Sequence, residues 1–247
     1  MRAPSLYLVV PCYNEAARLK SNLFRDCLAQ LESLHLLFVN DGSSDGTFSV
    51  LSEIRDGLED RVSIVSYLEN RGKAEAVRAG LVHALAKSDC QVVGYWDADL
   101  ATPLDSVCVL ARFLQEHPSI DLIFGSRVKL CGRHIHRRAA RHYLGRIFAT
   151  AVSHVLGMAI YDTQCGAKLF RVTEDVRSVL LEPFLAEWIF DVEILARLIA
   201  ATDASAVEAR TYEYPLKVWE DVSGSKLRPG HFVRAAFDLV RLKRRYL

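Results

Sequence analysis

Val92-Val93-Gly94-Tyr95-Trp96-Asp97-Ala98-Asp99 is an apolar run that stops on two carboxylates. Positions two apart in an extended chain share a face, so Asp97 and Asp99 arrive together just past the carboxyl end of a strand. Open α/β sheets bind ligands at that end. Two hard oxygen donors side by side suit a divalent cation or its water shell. Taken alone, the pattern reads equally as two solvated turn acids, so its surroundings decide.

Working outward, apolar segments at 6–10, 34–40, 62–67, 91–96 and 121–125 read as strands. Between them Leu19, Leu23, Cys27, Leu28 and Leu31 recur at helical spacing, as do Val77, Leu81, Ala84 and Leu85. Strand alternating with helix implies an α/β fold with a mostly parallel sheet covered on both faces. The second half has a basic run at 133–146, a long helical segment near 184–200, and a basic tail, Arg241-Leu242-Lys243-Arg244-Arg245.

The chain has 247 residues, 51% of them hydrophobic, which suits one compact domain with a substantial core. A net charge of +1 argues against a nucleic-acid binder driven by bulk charge. The six cysteines form no C-x-x-C pair and no ladder of spacings, so neither a zinc site nor a disulfide framework is expected. They read as reduced thiols in a cytoplasmic setting. Residues 1–5 lack the pattern of a signal peptide, and the apolar region 147–161 is too short to span a bilayer. A soluble protein, or one lying peripherally on the cytoplasmic face of a membrane, is expected.

Other strand ends also carry polar residues that a core would not request. They are Pro11-Cys12-Tyr13-Asn14-Glu15, Asp41-Gly42-Ser43-Ser44-Asp45-Gly46-Thr47 and Glu69-Asn70-Arg71-Gly72-Lys73. Ser43, Ser44 and Thr47 look like turn and helix-capping residues. Asp41, at a strand's carboxyl end, is placed to accept a hydrogen bond from a nucleobase N–H or a ribose hydroxyl.

Together V-P-C-Y-N-E, V-N-D-G-S-S-D-G-T, N-R-G-K and D-A-D resemble the family 2 glycosyltransferases, whose Rossmann-like nucleotide-binding fold is of the GT-A type. The later segments Gly125-Ser126-Arg127, 162–170, 188–193 and Gly224-Ser225-Lys226-Leu227 are similar to the dolichyl-phosphate glucosyltransferase and polyprenyl-phosphate mannose synthase branch. The tail favours the glucosyltransferase side. The resemblance implies a catalytic domain over 1–215 and a basic amphipathic extension over 216–247, packed on it or on a membrane. It also implies that Pro11, Tyr13, Glu15 and Asp41 hold base and ribose, and that Lys73 faces phosphate. Asp97 and Asp99 would serve sugar, diphosphate and Mg2+ or Mn2+, with Asp99 the direct ligand. Two positions depart from the pattern. Many relatives have Gly-Lys-Gly where this chain has Gly72-Lys73-Ala74, and mannose synthases often have Gln where this chain has Ala101.

The implied reaction is inverting transfer of glucose or mannose from a UDP- or GDP-sugar to a polyprenyl phosphate. Metal at Asp99 would neutralise charge growing on the diphosphate. A lipid monophosphate with a second pKa near ~6 is largely ionised at neutral pH, so it attacks without a general base and needs cationic positioning. Arg127, Arg137, Arg138 and Lys168 are candidates for that task. Gln164 would orient phosphate or sugar oxygens, and Asp162 would pair with a nearby cation. Asp191 and Glu193 fall on an apolar helix, where each is a site residue or half of a buried salt bridge. Trp188 and Phe190 read as core or pocket wall, and His134, His136 and His142 lack the partner spacing of a metal site.

Membrane contact is assigned to His142, Tyr143, Leu144, Ile147, Phe148 and Val152, and to Phe232, Phe237, Leu239, Val240 and Leu242; both sets are equally ordinary amphipathic helices. One alternative is a family 2 transferase acting on a glycan or other hydroxyl, with Asp191 as base. The other is a noncatalytic nucleotide-sugar-binding module.

Overall fold

The computed structural model describes residues 4–136, 139–222 and 229–247. Arg137, Arg138 and the 224–227 segment lie outside the described residues, as do the side chains of His142 and Phe232. The elements run β1 (Leu6–Cys12), α1 (Ser21–Gln30), β2 (Leu34–Asp41), α2 (Thr47–Arg55), β3 (Val62–Tyr67), α3 (Lys73–Leu85), β4 (Val92–Trp96), α4 (Asp105–Glu116) and β5 (Leu122–Ser126). They continue with β6 (His134–His136), α5 (Ala139–Leu156), β7 (Ala167–Arg171), α6 (Glu174–Leu181), α7 (Phe190–Ala201), α8 (Ala204–Ala209), β8 (Thr211–Pro215), β9 (Val218–Glu220) and α9 (Pro229–Tyr246).

All five expected strands form, and among the described residues the main sheet has order β3-β2-β1-β4-β7-β5-β8. β1 lies parallel to β2 and to β4, with Leu6 opposite Leu34 on one side and Val92 on the other. The chain therefore winds outward in one direction from β1 and then returns to its other side. That makes the β1/β4 crevice a topological switch point, where such sheets bind ligands.

β7 runs antiparallel between β4 and β5, and β8 is again parallel to β5. The strand in β7 is hidden in the sequence because it directly follows a glycine-bearing loop. Its alternation still shows in the core. Lys168 and Phe170 meet one face with Tyr95, while Ala167 and Leu169 meet the other with Trp96. α3, α6 and α7 cover the first face, and α1, α2 and α4 the second, so the strands are near-continuously apolar.

The helix expected near 184–200 begins only at Phe190. Glu193, 0% exposed, accepts the N–H groups of Leu185 and Ala186 at 2.8 and 2.9 Å, folding the preceding segment back against α7. Arg197 closes the same network on Glu193 at 2.6 Å and on the carbonyls of Val179 and Glu182, both at 3.0 Å. Glu193 is thus half of a buried, hydrogen-bonded ion pair. β6 pairs with β9, and Ile135 points inward between exposed His134 and His136.

α9 is apolar on two sides. Ala235, Leu239 and Leu242 are buried, and α9 packs on α7 and α5. Val233, Phe237 and Val240, on the opposite side by helical spacing, are exposed, Phe237 at 73%. No helix among the described residues is long and apolar enough to cross a membrane.

Candidate active site

A cavity of about 580 Å³ opens at the carboxyl ends of β1, β2 and β4. Pro11, Tyr13, Glu15, Asp41, Lys73, Asp97, Asp99, Arg127, Gln164 and Asp191 all line it, so the structure gathers these sequence candidates around one space. The strand-end loops hold one another. Asn14 N–H donates to Ser43 Oγ at 3.0 Å, Glu15 N–H to Thr47 Oγ1 at 2.8 Å, and Ser44 N–H to Asn14 Oδ1 at 2.9 Å. Ser43 and Thr47 therefore tie two loops together. The α2 N-cap is Gly46, which makes no side-chain cap bond.

Asp41 performs the same service one strand further out. Its carboxylate accepts from Asn70 Nδ2 at 3.0 Å, Arg71 N–H at 2.8 Å and Gly72 N–H at 2.9 Å. Gly42 sits at φ +67, where a side chain would also strike the backbone of Glu69 and Asn70, so this close approach requires glycine. Glu15 is held by Arg18, Nε to Oε2 at 2.6 Å, and Arg18 joins the lining.

Asp97 Oδ1 meets Lys73 Nζ at 2.5 Å. Burial works against the Lys73 ammonium, but Asp97, with Asp191 and Asp99 further off, outweighs it and holds the pKa above the ordinary lysine value. Behind Asp97, its N–H donates to Gly166 O at 2.9 Å. A Cβ on Gly166 would collide with the Asp97 carboxylate, so the glycine makes room for the acid. Asp99 accepts from Ala101 N–H at 3.1 Å. Burial and the like charge of Asp97 raise its pKa, against Ala101 N–H, Lys73 and Arg18. Two apposed carboxylates, one of them disfavoured as an anion, fit a hard divalent cation. No cluster of three or more His, Cys, Asp or Glu ligands occurs among the described residues, so a cation here would draw further oxygens from a diphosphate or water.

The opposite wall is built from ion pairs. Arg127 grips Asp162 bidentately, Nε and Nη2 each at 2.6 Å. Asp162 and Tyr161 in turn donate their N–H groups to Glu213 at 2.7 and 2.6 Å. Lys168, expected to face an acceptor phosphate, has a side chain only 1% exposed and lies beneath the cavity. Its ammonium donates to Cys165 O and pairs with Asp191 Oδ1 at 3.2 Å, while Tyr95 Oη donates to the same carboxylate. Burial drives both partners toward neutrality, Asp191 up to about 8 and Lys168 down to about 8. Trp188, its ring tilted against Phe148, and Phe190 form pocket wall.

Arg146, Tyr161, Thr163 and Trp219 also line the cavity and were not singled out from the sequence. Arg146 caps Tyr161 O at 3.0 Å and covers its ring, and Trp219 lies under Arg127. Thr163 stood inside a quoted motif, which was its one available signal. Leu216 is fully buried and Trp219, Asp221 and Val222 line the cavity, so residues beyond 215 help to build the site.

A mostly parallel, doubly covered sheet with paired acids at its switch point defines a nucleotide-binding α/β class. The chain belongs to glycosyl transferase family 2, whose domain matches residues 7–175. It is 32% identical over 270 residues to the dolichyl-phosphate beta-glucosyltransferase of Drosophila melanogaster, covering 99% of this chain and 77% of that one. Identity to the Saccharomyces cerevisiae protein of the same name is also 32%, covering 98% and 75%.

Among solved structures, glucosyl-3-phosphoglycerate synthase from Mycobacterium tuberculosis, with Mn2+, UDP-glucose and phosphoglyceric acid, superposes with TM-score 0.71. The match covers 97% of this chain and 79% of that one at 17% identity. The mannosyltransferase PcManGT from Pyrobaculum calidifontis, with GDP-Man and Mn2+, gives 0.58, covering 98% and 63% at 18% identity. The fold is of the GT-A glycosyltransferase type.

Proposed function

We propose that this enzyme transfers a hexose, glucose by preference, from a nucleoside diphosphate sugar to a polyprenyl phosphate with inversion at the anomeric carbon. The observation that carries the reading is the Asp97–Asp99 pair beside Lys73 in a cavity at the switch point. Support for the lipid phosphate and for glucose comes from the names of the relatives.

Pro11, Tyr13, Glu15 and Asp41 cradle base and ribose, the loops around them being fixed before the donor arrives. Asp99, with Asp97 beside it, would hold Mg2+ or Mn2+, which supplies Lewis-acid neutralisation of the leaving diphosphate. Lys73, paired with Asp97, adds a second positive charge on that side. The acceptor phosphate arrives largely deprotonated, so no side chain need remove a proton. Arg127 meets it with the edge of the guanidinium that Asp162 does not hold. Lys168 acts from beneath by fixing Asp191.

α5 forms part of the cavity wall through Gly145, Arg146, Phe148 and Ala149, and Tyr143, Leu144 and Ile147 on it are exposed. With the outer stripe of α9 and its basic last turn, this side rests on an anionic membrane surface, where the acceptor resides. Phe237→Asp is expected to abolish sedimentation with anionic vesicles; unchanged sedimentation would refute the surface. A donor panel tests the reaction. UDP-glucose and GDP-mannose, each offered with polyprenyl phosphate, should yield a sugar phosphodiester detectable by mass, faster with glucose. Absence of product from both donors would refute the reading.

A second reading has one observation in its favour. Asp191 lines the cavity with its pKa raised to about 8, as a base for a hydroxyl acceptor would require.

A further inference from the structure

The cations that line the cavity differ in what neutralises them. Arg18 is paired with Glu15 at 2.6 Å, Lys73 with Asp97 at 2.5 Å and Arg127 with Asp162 at 2.6 Å. Arg146, half-buried on α5, meets no carboxylate among the described residues. Its guanidinium is held by neutral groups: Nη1 donates to Tyr161 O at 3.0 Å, and its carbon lies 3.5 Å from the centroid of the Tyr161 ring. Tyr161 is fixed in turn, its N–H on Glu213 Oε2 at 2.6 Å. Arg146 is therefore anchored while its charge stays uncompensated. Carboxylates outnumber cations on the lining, so an anionic acceptor needs a cation with charge to spare.

We infer that Arg146 supplies the net positive charge that seats the acceptor phosphate, an inference that rests on the polyprenyl-phosphate reading above. Arg127 and Asp162 cancel as a pair, so the outer edge of Arg127 brings hydrogen bonds and little net charge. Arg146 stands beside that pair, because its platform, Tyr161, directly precedes Asp162. The edge of its guanidinium turned away from Tyr161 O can grip two phosphate oxygens together.

The helix gives this residue its place. Tyr143, Leu144 and Ile147 are exposed on α5, whereas Arg146 and Phe148 line the cavity. An arginine there meets the phosphate at the end of a chain whose remainder stays in lipid.

Transfer to polyprenyl phosphate in detergent, from UDP-glucose or GDP-mannose, whichever the wild type uses, tests this with Arg146→Gln and Arg146→Lys. The Gln variant should raise the acceptor KM about 10- to 100-fold while calorimetric affinity for the nucleotide sugar is unchanged. The Lys variant keeps the charge and loses the planar fork, so it should fall between the two. Added salt should raise the acceptor KM of the wild type more than that of the Gln variant, a difference that a merely structural role would not produce. Sedimentation of the Gln variant with anionic vesicles free of polyprenyl phosphate should match the wild type. An unchanged acceptor KM, a Lys variant no better than Gln, equal salt dependence, or an equal loss of nucleotide-sugar affinity would overturn the inference. So would lost sedimentation, which would assign Arg146 to bilayer headgroups. A wild type that makes no product from either donor would bring down the functional reading, and this inference with it.

Discussion

The two walls of the cavity are made by different means. The wall after β1, β2, β3 and β4 is tied largely by side chains bonding the backbone of neighbouring loops, as Ser43, Thr47 and Asp41 do. The wall from Arg127 onward is tied by ion pairs between elements, Arg127 to Asp162 and Lys168 to Asp191. In the first wall Asp97 and Asp99 are left crowded, one balanced by Lys73 and the other disfavoured as an anion. In the second wall Arg127 is paired with the carboxylate of Asp162 and Lys168 with that of Asp191. Residue type alone therefore does not reveal which charges are available to a ligand. Asp97 and Asp99 stand at the cavity, Lys168 and Asp191 support it from beneath, and Arg127, held by Asp162 through Nε and Nη2, keeps its other edge for a ligand.

That contrast predicts opposite consequences of mutation. Asp99→Ala should lower turnover by about 10³-fold, roughly 4 kcal/mol of barrier, with no loss of thermal stability because a repelled carboxylate has been removed. Steady-state transfer rates and a melting curve check this, and activity within a few-fold of wild type would break the division. Arg127→Ala should instead destabilise the fold by about 3 kcal/mol, since it removes the guanidinium that grips the buried Asp162 carboxylate at two points. Denaturant unfolding measures that loss; an unchanged unfolding free energy would show that Arg127 is not a support. Gly166→Ala joins the walls, for its methyl group would displace the Asp97 carboxylate. A drop of about 10²-fold in turnover is expected, with donor binding retained. Full activity would mean that Asp97 has room to move.

Much of the first wall was legible in the sequence because its signals are local. Apolar runs ending in Asp-x-Asp or Asp-Gly-Ser mark a strand and its loop within a few residues, and the five expected strands and the site around Asp97 and Asp99 follow from them. The roles inside those loops were less legible. Ser43 and Thr47 resemble caps until the neighbouring loop is seen to donate to them.

The second wall resisted for a reason of distance. Nothing in the order of residues says that Arg127 meets Asp162 or that Lys168 turns beneath the sheet, since β7 reaches its place between β4 and β5 only in the folded sheet. The start of α7 was hidden likewise, because the periodicity near 184–200 carries no mark of the fold-back that Glu193 imposes.

The central claim is that the acceptor is an anion needing position and no base, and one competition tests it directly. Matched polyprenyl phosphate and polyprenyl alcohol are offered together with the same nucleotide sugar, and the products are separated by mass. The account predicts a sugar phosphodiester from the phosphate and no glycoside from the alcohol, because the cations at the cavity, Arg127 foremost, gain an anion to grip only in the first case. Equal or faster transfer to the alcohol would contradict it and hand the chemistry to Asp191.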